Sequence, residues 1–154
     1  MLSDDVYRSQ LTAAFAGLKR LSTQMSDVAH IDSAETRDFV RLSLIPHASG
    51  ACPVEIMLRA DQYYDIAIGN EFYEDCKIER FDVFEPLIKA ITRGDVIQRR
   101  HISAATGTER AIETLVTLPG GTVWRKGHVH QGVANAIAQE ATVSQDKRFL
   151  PYRR

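Results

Sequence analysis

Hydrophobic and polar positions repeat along this chain with two different periods, and each change of period marks an element. From Ser3 to about Met25 the period is helical. Tyr7, Leu11, Ala14, Leu18, Leu21 and Met25 recur at alternating four- and three-residue steps, and Phe15 widens the apolar stripe. Ser3 or Asp4 can cap this helix. Ser26 to Thr36 has no sustained period and reads as a connection. From Phe39 the period is two: Val40, Leu42 and Leu44 share a face, with Arg41 and Ser43 on the other. Pro46 to Pro53, with Gly50, breaks the run.

Val54, Ile56 and Leu58 alternate with Glu55, Met57 and Arg59; past Ala60, Asp61 and Gln62, Tyr64, Ile66 and Ile68 alternate with Tyr63, Asp65 and Ala67. That pattern is a hairpin. Gly69 and Asn70 make a turn, and Phe72 to Ile78 gives a less regular strand. Phe81 to Gly94 returns to the helical period: Phe84, Leu87, Ile88 and Ile91 form a stripe, Asp82 and Glu85 have the spacing of a capping box, Pro86 suits a first turn, and Gly94 is a stop. Strands follow over Val96 to Ser103, Arg110 to Leu118 and Thr122 to His130, joined by turns at Ala104–Thr108 and Pro119–Gly121. Val133 to Ala141 reads as a short helix, and residues 148–154 as a loose basic tail behind a single domain spanning 1–147.

Hairpins in series, interrupted by one helix, predict an α+β fold. The expected core is a mostly antiparallel sheet of about six or seven strands, covered by the N-terminal helix and the central Phe81–Gly94 helix. Both stripes need a surface to pack on, since a helix of roughly 12 residues is marginal alone.

Composition narrows the function classes. A chain of 154 residues that is 44% hydrophobic can bury a core without metal or disulfide support. A formal net charge of −1 argues against nucleic acid as a partner. No apolar run reaches the ~20 residues of a membrane span, and the first ten residues carry two acids where a leader would be basic, which points to the cytoplasm. Cys52 and Cys76 are too far apart for a CxxC pair and read as reduced thiols; the acids Glu74 and Asp75 beside Cys76 argue against an activated nucleophile.

Charge is distributed unevenly. Residues 55–85 hold nine acids and three bases, whereas 86–130 hold seven bases and three acids. The acidic stretch also holds Tyr63, Tyr64, Phe72, Tyr73, Phe81 and Phe84. Alternation sends Tyr64 and Phe84 inward and leaves Tyr63 and Tyr73 outside, among Asp65 and Glu74. Exposed tyrosines among carboxylates suit a basic or amphipathic protein partner. The apolar helix face, through Leu11 and Leu18, offers a second partner surface, including the same helix of another copy.

Catalytic candidates are sparse. His128 and His130, at i and i+2 on a strand, share a face and are weak metal candidates, with His101 from a neighbouring strand as a possible third ligand. Arg99 shares a side with His101 and could bind an oxyanion, or pair with Glu109 and Glu113 across the hairpin. A small enzyme or ligand-binding protein would gather Arg99, His101, Trp124, His128 and His130 into one pocket. Walker, G-x-G-x-x-G, G-x-S-x-G and H-E-x-x-H patterns are all missing, and no cofactor is implied.

The order of elements loosely resembles that of small bacterial secretion chaperones, and antitoxin and immunity proteins are built at similar size. No residue motif carries that resemblance; the long apolar N-terminal stripe, the aromatic and acidic strands and the missing catalytic set are what point to a non-catalytic protein-interaction module of chaperone, adaptor or immunity type, presenting a sheet surface or helix face to a partner and working as a homodimer.

Overall fold

In a computed structural model describing residues 2–130 and 141–154, the chain forms nine strands and two helices. Helix α1 (Asp4–Thr23) leads into a five-stranded antiparallel meander of β1 (Ala29–Glu35), β2 (Phe39–Pro46), β3 (Val54–Arg59), β4 (Tyr63–Ile68) and β5 (Glu71–Lys77). A short 3-10 turn (Phe81–Val83) runs into helix α2 (Phe84–Thr92). A second antiparallel sheet contains β6 (Val96–Ser103), β7 (Glu109–Thr117), β8 (Val123–Val129) and β9 (Thr142–Arg148), in the order β8-β7-β6-β9. The fold is α+β, with its strands divided between two sheets.

The periodicities become burial. Tyr7, Leu11, Phe15, Leu18 and Leu21 of α1 are buried, as are Phe84, Leu87, Ile88 and Ile91 of α2. They share one core with Val40, Leu42, Leu44, Val54, Ile56, Leu58, Tyr64, Ile66 and Ile68, the inward residues of the meander. The helices cross closely at Gly17, where a Cβ would lie 3.0 Å from the Glu85 carboxylate. Leu11 and Leu18, expected as a partner surface, are thus occupied by the chain's own core.

Buried polar bonds stitch the second sheet to the first. Gln98 donates to the Ile68 carbonyl (2.7 Å) and lies 3.3 Å from Thr114 Oγ1, which bonds to the Tyr73 hydroxyl at 2.7 Å. Trp124 Nε1 donates to Tyr64 Oη at 3.2 Å. Each polar group sunk in this seam has a partner, which removes the cost of burying it.

Three expectations need correction, and one strand, over Thr142–Arg148, falls where the sequence pattern predicts no element. Ala29–Glu35, read as a connection, is an edge strand; only Ala29 in it is buried, so backbone pairing with β2 rather than an apolar face defines it. Thr142–Arg148 is likewise a strand, exposed at every position and paired to β6. The Asp82–Glu85 capping box does not form: Asp82 bonds instead to Arg80, while Gly94 does take the left-handed conformation at φ +82°. The tail is docked. Leu150 N–H donates to the Gly50 carbonyl, Tyr152 N–H to Thr92, the buried Tyr152 hydroxyl to the Cys52 carbonyl, and Arg153 forms an ion pair with Asp27. Aromatic burial outweighs the two terminal arginines. Residues 133–140 of the expected C-terminal helix lie outside the described residues.

Candidate interaction surface

The five-stranded sheet has one packed face and one open face. Strict alternation in β2, β3 and β4 sends Phe39, Arg41, Ser43, Ile45, Glu55, Met57, Arg59, Tyr63, Asp65 and Ala67 away from the helices, and none of them is buried. Among the described residues, no element covers this face. Register arranges it in rows: Ala34, Arg41, Met57 and Asp65 lie side by side, followed by Asp32, Ser43, Glu55, Ala67 and Phe72.

Two arginines organise its charge. Arg41 sits diagonally between two acids, 2.8 Å from Asp32 and 3.0 Å from Glu55. Arg59 binds Asp61 and Asp75 and lies 3.1 Å from Asp65. Its guanidinium also stands 5.8 Å from the Tyr63 ring centroid, close enough for a cation–π contact. The arginine side chains are 23% and 25% exposed, whereas Asp32, Glu55, Asp61 and Asp75 are 48–67% exposed. Five carboxylates thus surround two sunken cations, and the surplus negative charge points to solvent. The hydrogen bond from Arg41 holds the Asp32 carboxyl below its usual range, and Arg59 does the same to Asp61.

A β-bulge supplies the third carboxylate around Arg59. Pairing slips between Tyr64 and Ile66, so Glu74 and Asp75 together oppose Asp65. Asp75 takes a left-handed φ of 56°, and its N–H donates to Asp65 Oδ1 at 2.8 Å. The extra residue resets the phase of β5. Tyr73 and Cys76, three apart, both turn inward, and Phe72 is left outside at 48% exposure. The expected exposure of Tyr73 is therefore corrected: its ring is 4% exposed, stacks on His128 at 4.7 Å between centroids, and bonds to Thr114. Of the partner-binding candidates, Tyr63, Asp65 and Glu74 remain at the open surface. Arg41, Met57 and Phe72 join them.

The histidine and arginine candidates do not converge. His101 pairs with Ala111, which pairs with Val129, whereas His128 pairs with Ile112 and so points to the opposite side of the same sheet. Arg99 and His101 stand on the outer side, Arg99 forming a two-pronged ion pair with Asp146 and His101 lying 3.2 Å from Glu113. Trp124, His128 and His130 project from the other side. His128 Nε2 donates to the Phe72 carbonyl at 2.8 Å, and His130 lies 2.7 Å from Glu109, which also binds Arg100. The sheet's pleat therefore separates the five side chains that a His/Arg-lined pocket would need together. Among the described residues, no three His, Cys, Asp or Glu side chains gather for a metal.

Both thiols are free and buried. Burial pushes Cys52 up to about 12, and burial more than the neighbouring acids raises Cys76. Neither has the character of a nucleophile at neutral pH. Among the described residues no helix is long and apolar enough to cross a membrane. No family model matches the chain, and no match was found among curated proteins or solved structures.

Proposed function

We propose that the protein is a non-catalytic interaction module, of the chaperone, adaptor or immunity kind, that binds a basic amphipathic segment of a protein partner on the open face of its five-stranded sheet. The observation that carries this reading is the uncovered face itself, where half-exposed Phe72 and Ile45 and half-buried Met57 and Tyr63 sit among carboxylates that outnumber their arginines. Apolar side chains give such a surface affinity, and the negative surplus selects the sign of the partner and speeds its approach. Four strand intervals at about 4.8 Å span roughly 19 Å, wide enough for a helix some 10 Å across. Acting in the cytoplasm and as a homodimer belongs to the same proposal; the exposed edges β1 and β9 offer two places where sheets of two copies could join.

Calorimetry with a synthetic amphipathic Leu/Lys helix tests the binding mode. Heat of binding is expected at low salt, weakening steeply as ionic strength rises, and much reduced for the Glu55→Lys/Phe72→Ala variant. Absence of heat at low salt, or equal binding by that variant, contradicts the proposed face. Light scattering tests the dimer, which a mass near 17.3 kDa at high concentration contradicts.

A further inference from the structure

A cleft of about 430 Å³ opens between the segment leading from β5 into α2 and strand β8, and it meets the edge of the open face at Lys77, which stands opposite Tyr63. Tyr64, Phe84 and Trp124 form its apolar wall. Lys77, Arg80, Arg125 and Lys126 line it with positive charge, against the single lining carboxylate of Glu79. The lining is thus net positive although the whole chain carries a formal net charge of −1. The four cations are also not equally engaged. Arg80 is bonded to Asp82, and Arg125 lies 3.5 Å from Glu113. Among the described residues, neither Lys77 nor Lys126 has a carboxylate within ion-pair distance, in contrast to Arg41, Arg59, Arg99, Arg100 and Arg153.

We infer that this cleft is a binding site for a small organic anion with a planar apolar body, its charged head held between Lys77 and Lys126 and its body laid against Trp124. Two ammonium groups without a carboxylate in ion-pair range, lining a cleft whose wall includes the rims of buried aromatic rings, supply both halves of that recognition: charge for a carboxylate or phosphate, and apolar contact for the group attached to it. The indole is only 9% exposed and its N–H is committed to Tyr64, so the rim of the ring that reaches the cleft is fixed before binding and carries no ordering cost. The inference is argued from the lining of the cleft and does not rest on the protein-binding reading above.

Trp124 is the chain's single tryptophan, so its emission reports on this site alone. The full-length protein is titrated with phenyl phosphate, benzoate and inorganic phosphate, alongside the Lys77→Ala/Lys126→Ala variant and a Lys89→Ala control. Saturable change in emission is expected with an aryl anion, tighter for phenyl phosphate if the head is a phosphate and for benzoate if it is a carboxylate. The double variant should bind about tenfold more weakly or worse, with Lys89→Ala unchanged. Inorganic phosphate should bind at least about tenfold more weakly than the preferred aryl anion, since it lacks the body that meets the indole. No saturable response to either aryl anion, equal affinity in the double variant, or inorganic phosphate binding as well as the preferred aryl anion overturns the inference. Circular dichroism of the double variant, matching the wild type, separates loss of the site from loss of the fold.

Discussion

Arg59 is the residue on which the open face turns. Its guanidinium is shared by Asp61, Asp65 and Asp75, three carboxylates that repel one another without it. Removing it with Arg59→Ala should cost about 1–2 kcal/mol at neutral pH, a figure kept small because the group is a quarter exposed and solvent screens the pairs. The sign of the pH dependence follows from the depressed carboxyls. Asp61 and Asp32 have folded-state values below the ordinary 3.8, so the unfolded chain binds more protons as pH falls past that point. Their contribution is present above about pH 4 and lost on further acidification. Thermal melts of wild type and Arg59→Ala should therefore differ at pH 7 and converge towards pH 2–3, and a constant difference across that range contradicts the network. Tyr63 and Tyr73 make a second contrast. Tyr63→Ala should be tolerated, whereas Tyr73→Ala should destabilise by about 3–5 kcal/mol because it empties a buried ring site and leaves Thr114 with Gln98 as its remaining side-chain partner. Urea unfolding of the two variants measures this difference, which equal midpoints would contradict. Cys52 and Cys76 should label with Ellman's reagent only as fast as the protein opens, at pH 8 as at pH 7; rapid native labelling would mean that the thiols are not buried.

At the scale of elements, what the sequence made legible was every strand or helix with one face in the core. Helices α1 and α2 and strands β2, β3 and β4 carry unbroken apolar periods because burial demands them, and the boundaries of β6, β7 and β8 follow from glycine-bearing turns. Strands β1 and β9 were hidden because edge strands with few or no buried side chains are held mainly by backbone partners, which leave no side-chain period. Strand β5 was visible, but its phase was not. A bulge is set by the backbone of Asp75, and nothing in E-F-Y-E-D-C-K forces the left-handed residue there, so the outward aromatic was expected to be Tyr73 when it is Phe72. The capping box failed for a local reason, since Asp82 lies within the 3-10 turn that precedes α2, whose N-cap is Val83, and it bonds to Arg80. The docked C-terminus has its own test. Gly94 combines a φ of +82° with a tail backbone so close that a Cβ would stand 2.9 Å from the Phe149 carbonyl oxygen. Gly94→Ala should cost at least about 1–2 kcal/mol from the φ alone, a fall in Tm of several degrees, whereas Gly17→Ala on α1 should be near neutral because the only close neighbour is the flexible Glu85 side chain. Equal effects at the two glycines contradict the docked tail.

For the whole molecule, two sheets and two helices leave an asymmetry: one face of the meander is sealed by α1 and α2, the other is left to solvent with its charge biased negative. The alternation that makes this face was readable in β2, β3 and β4, and so were Tyr63, Asp65 and Glu74 as part of it. That the helices would both take the same side was not readable, because an amphipathic stripe says only that it is covered and not which surface covers it. For the same reason Leu11 and Leu18 could be assigned to a partner when they belong to the core. The grouping of His101 with His128 failed on register, a property of strand pairing that side-chain spacing in single strands does not fix.

The account is tested most directly by parallel affinity capture from the source cell on two immobilised forms of the chain, wild type and Asp32→Asn/Glu55→Gln/Asp61→Asn/Phe72→Ser, both verified as folded. The prediction is a basic protein retained by the wild type at low salt, eluted by raising ionic strength, and missing from the variant. The same protein held equally by both forms would show that the open face of the five-stranded sheet is not where the partner binds.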